Sequence, residues 1–213
     1  MDEMEPQIIY HDDSVVVVEK PGGLLAVPGR GPDKQDCVVN RIKAKFPQMI
    51  DQPAVHRLDM ATSGLMVLAV TQQAHRQLSK DFAARKVTKR YLAVLAGLIA
   101  EDSGRIELAF RLNPDNRPHQ VYDPVHGKIG ISLWRNLGAE NGRTRVEFAP
   151  LTGRTHQLRL HAVHPLGLGC PIIGDPLYGN GKEGDRLLLH ASFLEFQHPQ
   201  DGHPMTFTSP PPF

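Results

Sequence analysis

Pro53-Ala54-Val55-His56-Arg57-Leu58-Asp59-Met60-Ala61-Thr62-Ser63-Gly64-Leu65-Met66-Val67-Leu68-Ala69-Val70 is the stretch around which the chain is organised. Residues 65–70 are an unbroken apolar run of the length a buried strand has. Pro53-Ala54-Val55 reads as the end of another short strand. Between them, residues 56–64 are polar, small and charged, so they predict a loop held on both sides by core. A carboxylate at Asp59, two positions after the Arg57 guanidinium and close to two hydroxyls, stands on a rigid scaffold, a common setting for catalytic groups. The plainer reading is structural: Arg57 pairs with Asp59, and Thr62-Ser63-Gly64 makes a tight turn. Local chemistry leaves both open.

Working outward, residues 7–10, a polar His11-Asp12-Asp13 and residues 14–20 predict a β-hairpin, which Pro21-Gly22-Gly23 ends. Asp36 predicts the cap of a helix carrying Val38, Val39, Ile42 and Phe46 at helical spacing and stopped by Pro47. Past the central loop, Thr71 predicts the cap of a second helix with Ala74, Leu78 and Phe82 on one face, followed by a strand over residues 89–97. Ile106, Leu108 and Phe110 alternate, as do Ile129, Ile131 and Leu133, then Val146 and Phe148 after an Ala139-Glu140-Asn141-Gly142 turn. Residues 111–128 form a long irregular stretch of the kind that is functional or mobile in compact domains. A third helix is predicted over residues 156–163, and the remainder is short apolar runs split by Gly and Pro. With no internal repeat or linker, the expectation is a single domain over residues 1–213. Its fold class is α+β: a mostly antiparallel, mixed sheet flanked by helices and loops.

Lys and Arg number 24 against 23 Asp and Glu, so the net charge of +1 gives no argument for a nucleic-acid partner. The distribution says more. Arg76, Lys80, Arg85, Lys86, Lys89 and Arg90 face a single acid, Asp81, in that segment, while Asp2, Glu3, Glu5, Asp12, Asp13 and Glu19 gather near the start. A basic strip can follow a phosphate backbone, although a solvated helix face is the commoner meaning of a charge run. No apolar run approaches the roughly 18 residues that span a bilayer, so no membrane association is expected. The opening Met1-Asp2-Glu3-Met4-Glu5 lacks the basic and apolar regions of a signal peptide, and Cys37 and Cys170 stand alone, so a reducing, cytoplasmic setting is expected. His156, His161 and His164 invite a metal, but no Glu follows His156 and His161 is five residues on, off one helix face; no metal site is predicted.

The nine residues 56–64 carry His-Arg-Leu-Asp-x-x-Thr-Ser-Gly, and this pattern resembles the signature of the RluA family of RNA pseudouridine synthases. Further stretches resemble the family in order and spacing. They are Glu19-Lys20-Pro21-x-Gly23-Leu24-Leu25, Lys89-Arg90-Tyr91-Leu92-Ala93-Val94, residues 151–161, Gly174-Asp175-x-x-Tyr178-Gly179 and Arg186-Leu187-x-Leu189-His190-Ala191. Val27-Pro28-Gly29-Arg30 and Met60-Ala61 look most like the RluA branch itself, whose members act on tRNA anticodon stem-loops and large-subunit rRNA. The S4 RNA-binding domain of many relatives is expected to be missing, because the hairpin starts within the first ten residues. Lys128-Ile129-Gly130-Ile131-Ser132 stands where many relatives have Lys-x-Ala-x-Thr, which weakens that match.

The resemblance implies the pseudouridine synthase catalytic fold and isomerisation of uridine to pseudouridine in tRNA or 23S rRNA stem-loops. The C1′–N1 bond breaks and C5 bonds to C1′, with no redox change or group donor. No cofactor is therefore expected, and the sequence shows no P-loop or dinucleotide glycine pattern. Asp59 matches the catalytic aspartate, which either attacks C1′ or removes the 2′ proton. Tyr91 matches the tyrosine that packs on the target base, and Arg159 the arginine that pairs with the catalytic carboxylate. The uridine must leave its stack to react. Arg57 matches a residue that takes the vacated place, with a local salt bridge as its other reading. The basic strip, Arg76, Lys80, Arg85, Lys86, Lys89 and Arg90, is the candidate RNA track, and a monomer is expected. The rivals are a non-catalytic RNA-binding protein and a metal-dependent hydrolase.

Overall fold

Four consecutive valines, Val15 to Val18, have no polar face to turn to water, and the chain buries all four completely. They lie in β2 (Val15–Lys20), which pairs antiparallel with β1 (Gln7–His11) on one side and with β3 (Ser63–Ala69) on the other. The computed structural model describes residues 4–213; the Asp2 and Glu3 of the acidic opening lie outside the described residues. The chain forms two compact units, one of residues 1–89 and 190–212 and one of residues 90–189 with Phe213.

In the first unit β3 is buried along its whole length and runs parallel to β9 (Leu189–Gln197) through Ser63 opposite His190 and Gly64 opposite Ala191. β9 pairs antiparallel with β10 (Pro204–Thr208). Gly64 is required here. Its φ is +112°, and a Cβ would overlap the backbone of Ala191. The core joins Val15, Val17, Leu65, Val67, Leu194 and Phe196 from the strands to Ala74 and Leu78 of α2 (Gln72–Ala83). Each such fully buried Val or Leu contributes roughly 1.5–3 kcal/mol. Thr71 caps α2 as expected, its Oγ1 accepting from the Ala74 N–H at 3.1 Å. The other cap differs from expectation. α1 (Val38–Lys45) is capped by Cys37, whose extended backbone places Sγ 3.5 Å from the Asn40 N–H. Asp36, one residue too early, instead takes the Arg41 guanidinium through both oxygens. Pro53-Ala54-Val55 contributes only an isolated bridge, Ala54 to Leu68, rather than a strand.

In the second unit β4 (Thr88–Leu95) pairs with β8 (Arg143–Pro150), β8 with β7 (Lys128–Glu140), β7 with β5 (Ser103–Leu112) and β5 with β6 (Gln120–Tyr122), all antiparallel. β6 lies inside the stretch expected to be irregular. Asn141 and Gly142, at φ 53° and 73°, turn β7 into β8, the twist-matched geometry of a tight hairpin. The alternating Ile129, Ile131 and Leu133 of β7 do not lie on its buried face. Ile129 and Leu133 are 48% and 41% exposed, whereas Gly130, Ser132 and Trp134 point inward. Gly130 leaves room for the Phe110 ring, to which a Cβ would come within 2.6 Å. The Ser132 hydroxyl accepts from Gln157 of α3 (Gln157–Val163) at 2.9 Å. The departure at Gly130 and Ser132 is thus a change of side-chain size at inward positions. The whole is a mixed, mostly antiparallel sheet structure with few helices, α+β as expected. No helix among the described residues is long and apolar enough to cross a membrane.

Candidate active site

In the first unit the Asp59 loop is fastened at both ends. At its start the His56 Nε2 accepts the Val67 N–H of β3 at 3.1 Å, which places the ring proton on Nδ1. The imidazole stacks on Phe82 of α2 with centroids 4.6 Å apart. Desolvation, with the Lys89 ammonium adding to it, pushes His56 down to about 3, so the ring is neutral and can serve as an acceptor. Leu58 is buried, Arg57 is exposed and Asp59 is half-buried. After Asp59 the chain turns, the Thr62 N–H donating to the Asp59 carbonyl at 3.1 Å.

Beneath that turn lies Lys20, fully buried at the end of β2. Its three N–H bonds go to the carbonyls of Pro21 and Leu24, each at 2.7 Å, and of Met60 at 2.9 Å. Burial lowers the ammonium to about 7 while the Asp59 carboxylate opposes the shift. Lys20 therefore ties the residue after Asp59 to β2 and places a titratable amine in the electrostatic field of Asp59.

The far end of the loop is fixed by a buried relay. Ser63 Oγ is 2.9 Å from His190 Nδ1, His190 Nε2 is 2.9 Å from Ser209 Oγ, and Ser209 donates to Glu19 Oε2 at 2.6 Å. Since Ser209 uses its proton on Glu19, it accepts from His190 Nε2–H, and Nδ1 is left to accept from Ser63. Burial lowers His190, with Glu19 and Ser209 acting against it.

The basic strip separates into two kinds of residue. Arg76 and Lys80, one helical turn apart on α2, are exposed, as are Arg85 and Lys86 in the turn after it. The strip's single acid, Asp81, is turned inward and bonded to Gln77 at 3.0 Å, so the exposed side of this segment is basic. Lys89 differs: it is half-buried, its ammonium 5.8 Å from the Phe82 ring centre, and desolvation lowers its pKa. Its charge faces the His56–Phe82 pair, unlike those of the four exposed residues.

In the second unit Tyr91 lies half-buried on β4 opposite Phe148, and Arg90 beside it is exposed. Arg159 is a buried residue of α3. Asp175 grips one edge of its guanidinium, Oδ2 to Nε at 2.8 Å and Oδ1 to Nη2 at 2.5 Å. Burial raises the Asp175 carboxyl, but Arg159 and the N–H groups of Leu177 and Tyr178 outweigh it and hold the group below its usual range. Arg159 also lies 5.1 Å from the Tyr178 ring centre. The Tyr178 hydroxyl accepts from the Gln120 N–H at 2.7 Å and lies 2.8 Å from His156 Nδ1. The start of α3 is held by Gln157. Its amide nitrogen donates to the Ile131 carbonyl and to Ser132, and its oxygen accepts from Thr152 and the Arg154 N–H. Lys20, Gln157, Asp175 and His190 were missed as positioning groups, although each sits in a quoted motif. Their partners lie elsewhere in the chain. Of the three histidines weighed as metal ligands, His156 engages Tyr178, His164 Nδ1 accepts the Leu166 N–H, and His161 is enclosed against Phe110.

An aspartate loop running into β3 in one unit and a carboxylate-braced arginine in the other stand at motif positions in order along the chain, and the sequence places them in a class. The chain belongs to the RNA pseudouridylate synthase family, whose sequence model matches residues 14–164. It is similar, at 42% identity over 94% of its length and 96% of the relative, to the dual-specificity RNA pseudouridine synthase RluA of Yersinia pestis. RluA of Escherichia coli K12 is 41% identical over 97% of this chain and 93% of its own. Among solved structures, human RNA pseudouridylate synthase domain containing 1 superposes with a TM-score of 0.78 at 29% identity, covering 100% of this chain and 86% of that one. Human RNA pseudouridylate synthase domain containing 4 shares the fold, with a TM-score of 0.75 at 24% identity.

Proposed function

We propose that the chain is an RluA-type RNA pseudouridine synthase that isomerises uridines in stem-loops of both tRNA and large-subunit rRNA. The observation that carries this reading is the Asp59 loop, pinned by His56, Lys20 and Ser63, in a chain similar along nearly its whole length to dual-specificity RluA enzymes. In the reaction the C1′–N1 bond breaks, the uracil turns, C5 bonds to C1′, and the C5 proton is given up as N1 gains one. Atoms and electrons balance within the nucleotide, so no cofactor is called for. Asp59 supplies the carboxylate that acts on the sugar. Tyr91 packs on the base and Arg159 provides the orienting guanidinium. Arg57, exposed on the same loop, aids extrusion of the uridine, and Arg76, Lys80, Arg85 and Lys86 follow the phosphate backbone, with Arg90 beside Tyr91. The family match spans both units, which supports one catalytic domain; a monomer working in the cytoplasm belongs to the same reading. The test is pseudouridine mapping of total RNA from cells with and without the gene, paired with conversion of a purified anticodon stem-loop and an rRNA fragment in vitro. Loss of sites in both RNA classes is expected; loss in only one removes the dual assignment.

A further inference from the structure

The turn from β9 to β10 carries His198, Asp201 and His203, and their ligand atoms lie within 4.8 Å of one another. Both rings aim Nδ1 at a single oxygen, Asp201 Oδ1, from His198 at 3.0 Å and from His203 at 2.6 Å. The rings stack at 4.8 Å with planes 21° apart, and both Nδ1 directions meet at Asp201 Oδ1. Metal–nitrogen and metal–oxygen bonds of about 2.1 Å place adjacent ligand atoms about 3.0–3.4 Å apart. An ion there would take the place of the two Nδ1 protons, with the exposed Asp201 carboxylate shifting to make room.

A second observation is independent of the turn. His198 is buried at 6% exposure, and its other nitrogen, Nε2, is 3.1 Å from Asp12 Oδ2. Asp12 is itself immobilised. It accepts from the Tyr10 hydroxyl at 2.7 Å and, through Oδ1, from the N–H groups of Ser14 and Val15. A carboxylate fixed behind the far nitrogen of a histidine orients the ring, so that its near nitrogen faces a metal once the ion displaces the proton held there. The turn is also preorganised. The His198 N–H donates to the His203 carbonyl at 2.8 Å, the Gly202 N–H to the His198 carbonyl at 2.9 Å, and the His203 N–H to Asp201 Oδ1 at 3.2 Å.

We propose that His198, Asp201 and His203 form a binding site for a divalent cation of the zinc type, with Asp12 as the supporting carboxylate behind His198. Two imidazoles and one carboxylate are a borderline donor set that suits zinc rather than magnesium or calcium, and solvent completes the coordination. Binding releases the protons the two Nδ1 atoms share with Asp201 and exchanges two hydrogen bonds for metal–ligand bonds. The ion would fasten the β9–β10 turn to the β1–β2 turn through Asp12, and the site is separate from the Asp59 chemistry.

The experiment uses the full chain without an affinity tag, stripped with chelator, and zinc chloride as the probe in titration calorimetry and thermal melting. One equivalent is expected to bind saturably and to raise the melting temperature, with cobalt(II) giving visible absorption at the same stoichiometry. His203→Gln and Asp201→Asn alter exposed groups and should each weaken uptake at least about tenfold. Asp12→Asn, which keeps a capping oxygen, should lose about 10- to 100-fold in affinity. If the wild type takes up no single saturable equivalent, or if His203→Gln and Asp201→Asn bind zinc as the wild type does, the site is not where we place it.

Discussion

Asp175→Asn tests the bracing of Arg159. The two side chains are 3% and 1% exposed, so the pair is screened from water. Removing one partner of a buried ion pair costs about 3–5 kcal/mol, because the remaining charge loses the carboxylate that repaid its desolvation. Asparagine keeps an oxygen for the Leu177 and Tyr178 N–H groups, but it turns an N–H2 toward a guanidinium that also donates. We therefore expect a loss near the lower end, about 3 kcal/mol. The control is Glu107→Gln, which neutralises an acid paired with Arg105 where both side chains are about half exposed (46% and 48%); surface pairs of this kind are worth about 0–1 kcal/mol. Urea unfolding at pH 7 can be followed by Trp134, which lies in β7 of the same unit. Single-turnover conversion at saturating RNA should fall about tenfold or more, since misplacing a positioned group by about 1 Å costs up to about 10²-fold. RNA affinity should hold. The pH dependence has a definite sign. Asp175 is lowered in the folded chain, so the pair's contribution is complete above the unfolded value near 3.8 and fades as pH falls through the lower folded value. The gap between wild type and variant should close only in strong acid. An Asp175→Asn protein within about 1 kcal/mol of wild type, with undiminished single-turnover rate, refutes the bracing.

Asp59→Asn should abolish pseudouridine formation while RNA binding persists, measured by tritium release and filter binding; substantial turnover by the folded variant removes the catalytic assignment. Replacing Lys80, Arg85 and Lys86 together with Gln should weaken binding to any RNA and flatten the log–log salt slope by up to about two units, at about 0.7 per contact. Arg57→Ala should instead keep the slope and lose single-turnover rate; an unchanged slope in the triple variant would mean the helix face is merely solvated. His56 gives an acid limb of its own. Its folded pKa of about 3 lies below the ordinary 6.5, so stability is unaffected above pH 6.5 and declines as pH falls through that window, which pH-dependent unfolding of wild type against His56→Gln will reveal. Chelator treatment should leave turnover intact on an RNA that folds without magnesium, since the proposed isomerisation transfers no group and changes no oxidation state.

Some of this was legible in the sequence because it is local. The cap at Thr71, the buried run after Gly64, and the Asn141-Gly142 turn each need only neighbouring residues to declare themselves. The motif order also located Asp59, Tyr91 and Arg159 on the elements that hold them. Alternation in β7 showed that one face is apolar but could not say which face the core would claim. That was decided by Phe110 filling the space over Gly130 and by Gln157 reaching Ser132. The same limit applied at Lys89, whose charge reads as exposed until the His56–Phe82 stack is in place beside it.

What the sequence determined by itself was most of the elements and the family motif carried by residues 56–64, since periodicity, capping and a dense motif are carried by residues close along the chain. Tertiary structure alone decided what holds that loop and its partners in position. Lys20 reaches the Met60 carbonyl 40 residues away, Ser209 reaches Glu19 across 190, and His198 meets Asp12 across 186. Such pairings depend on which strands lie side by side. Hydrogen bonds between distant residues form only once burial has brought their backbones together and made an unsatisfied polar group costly.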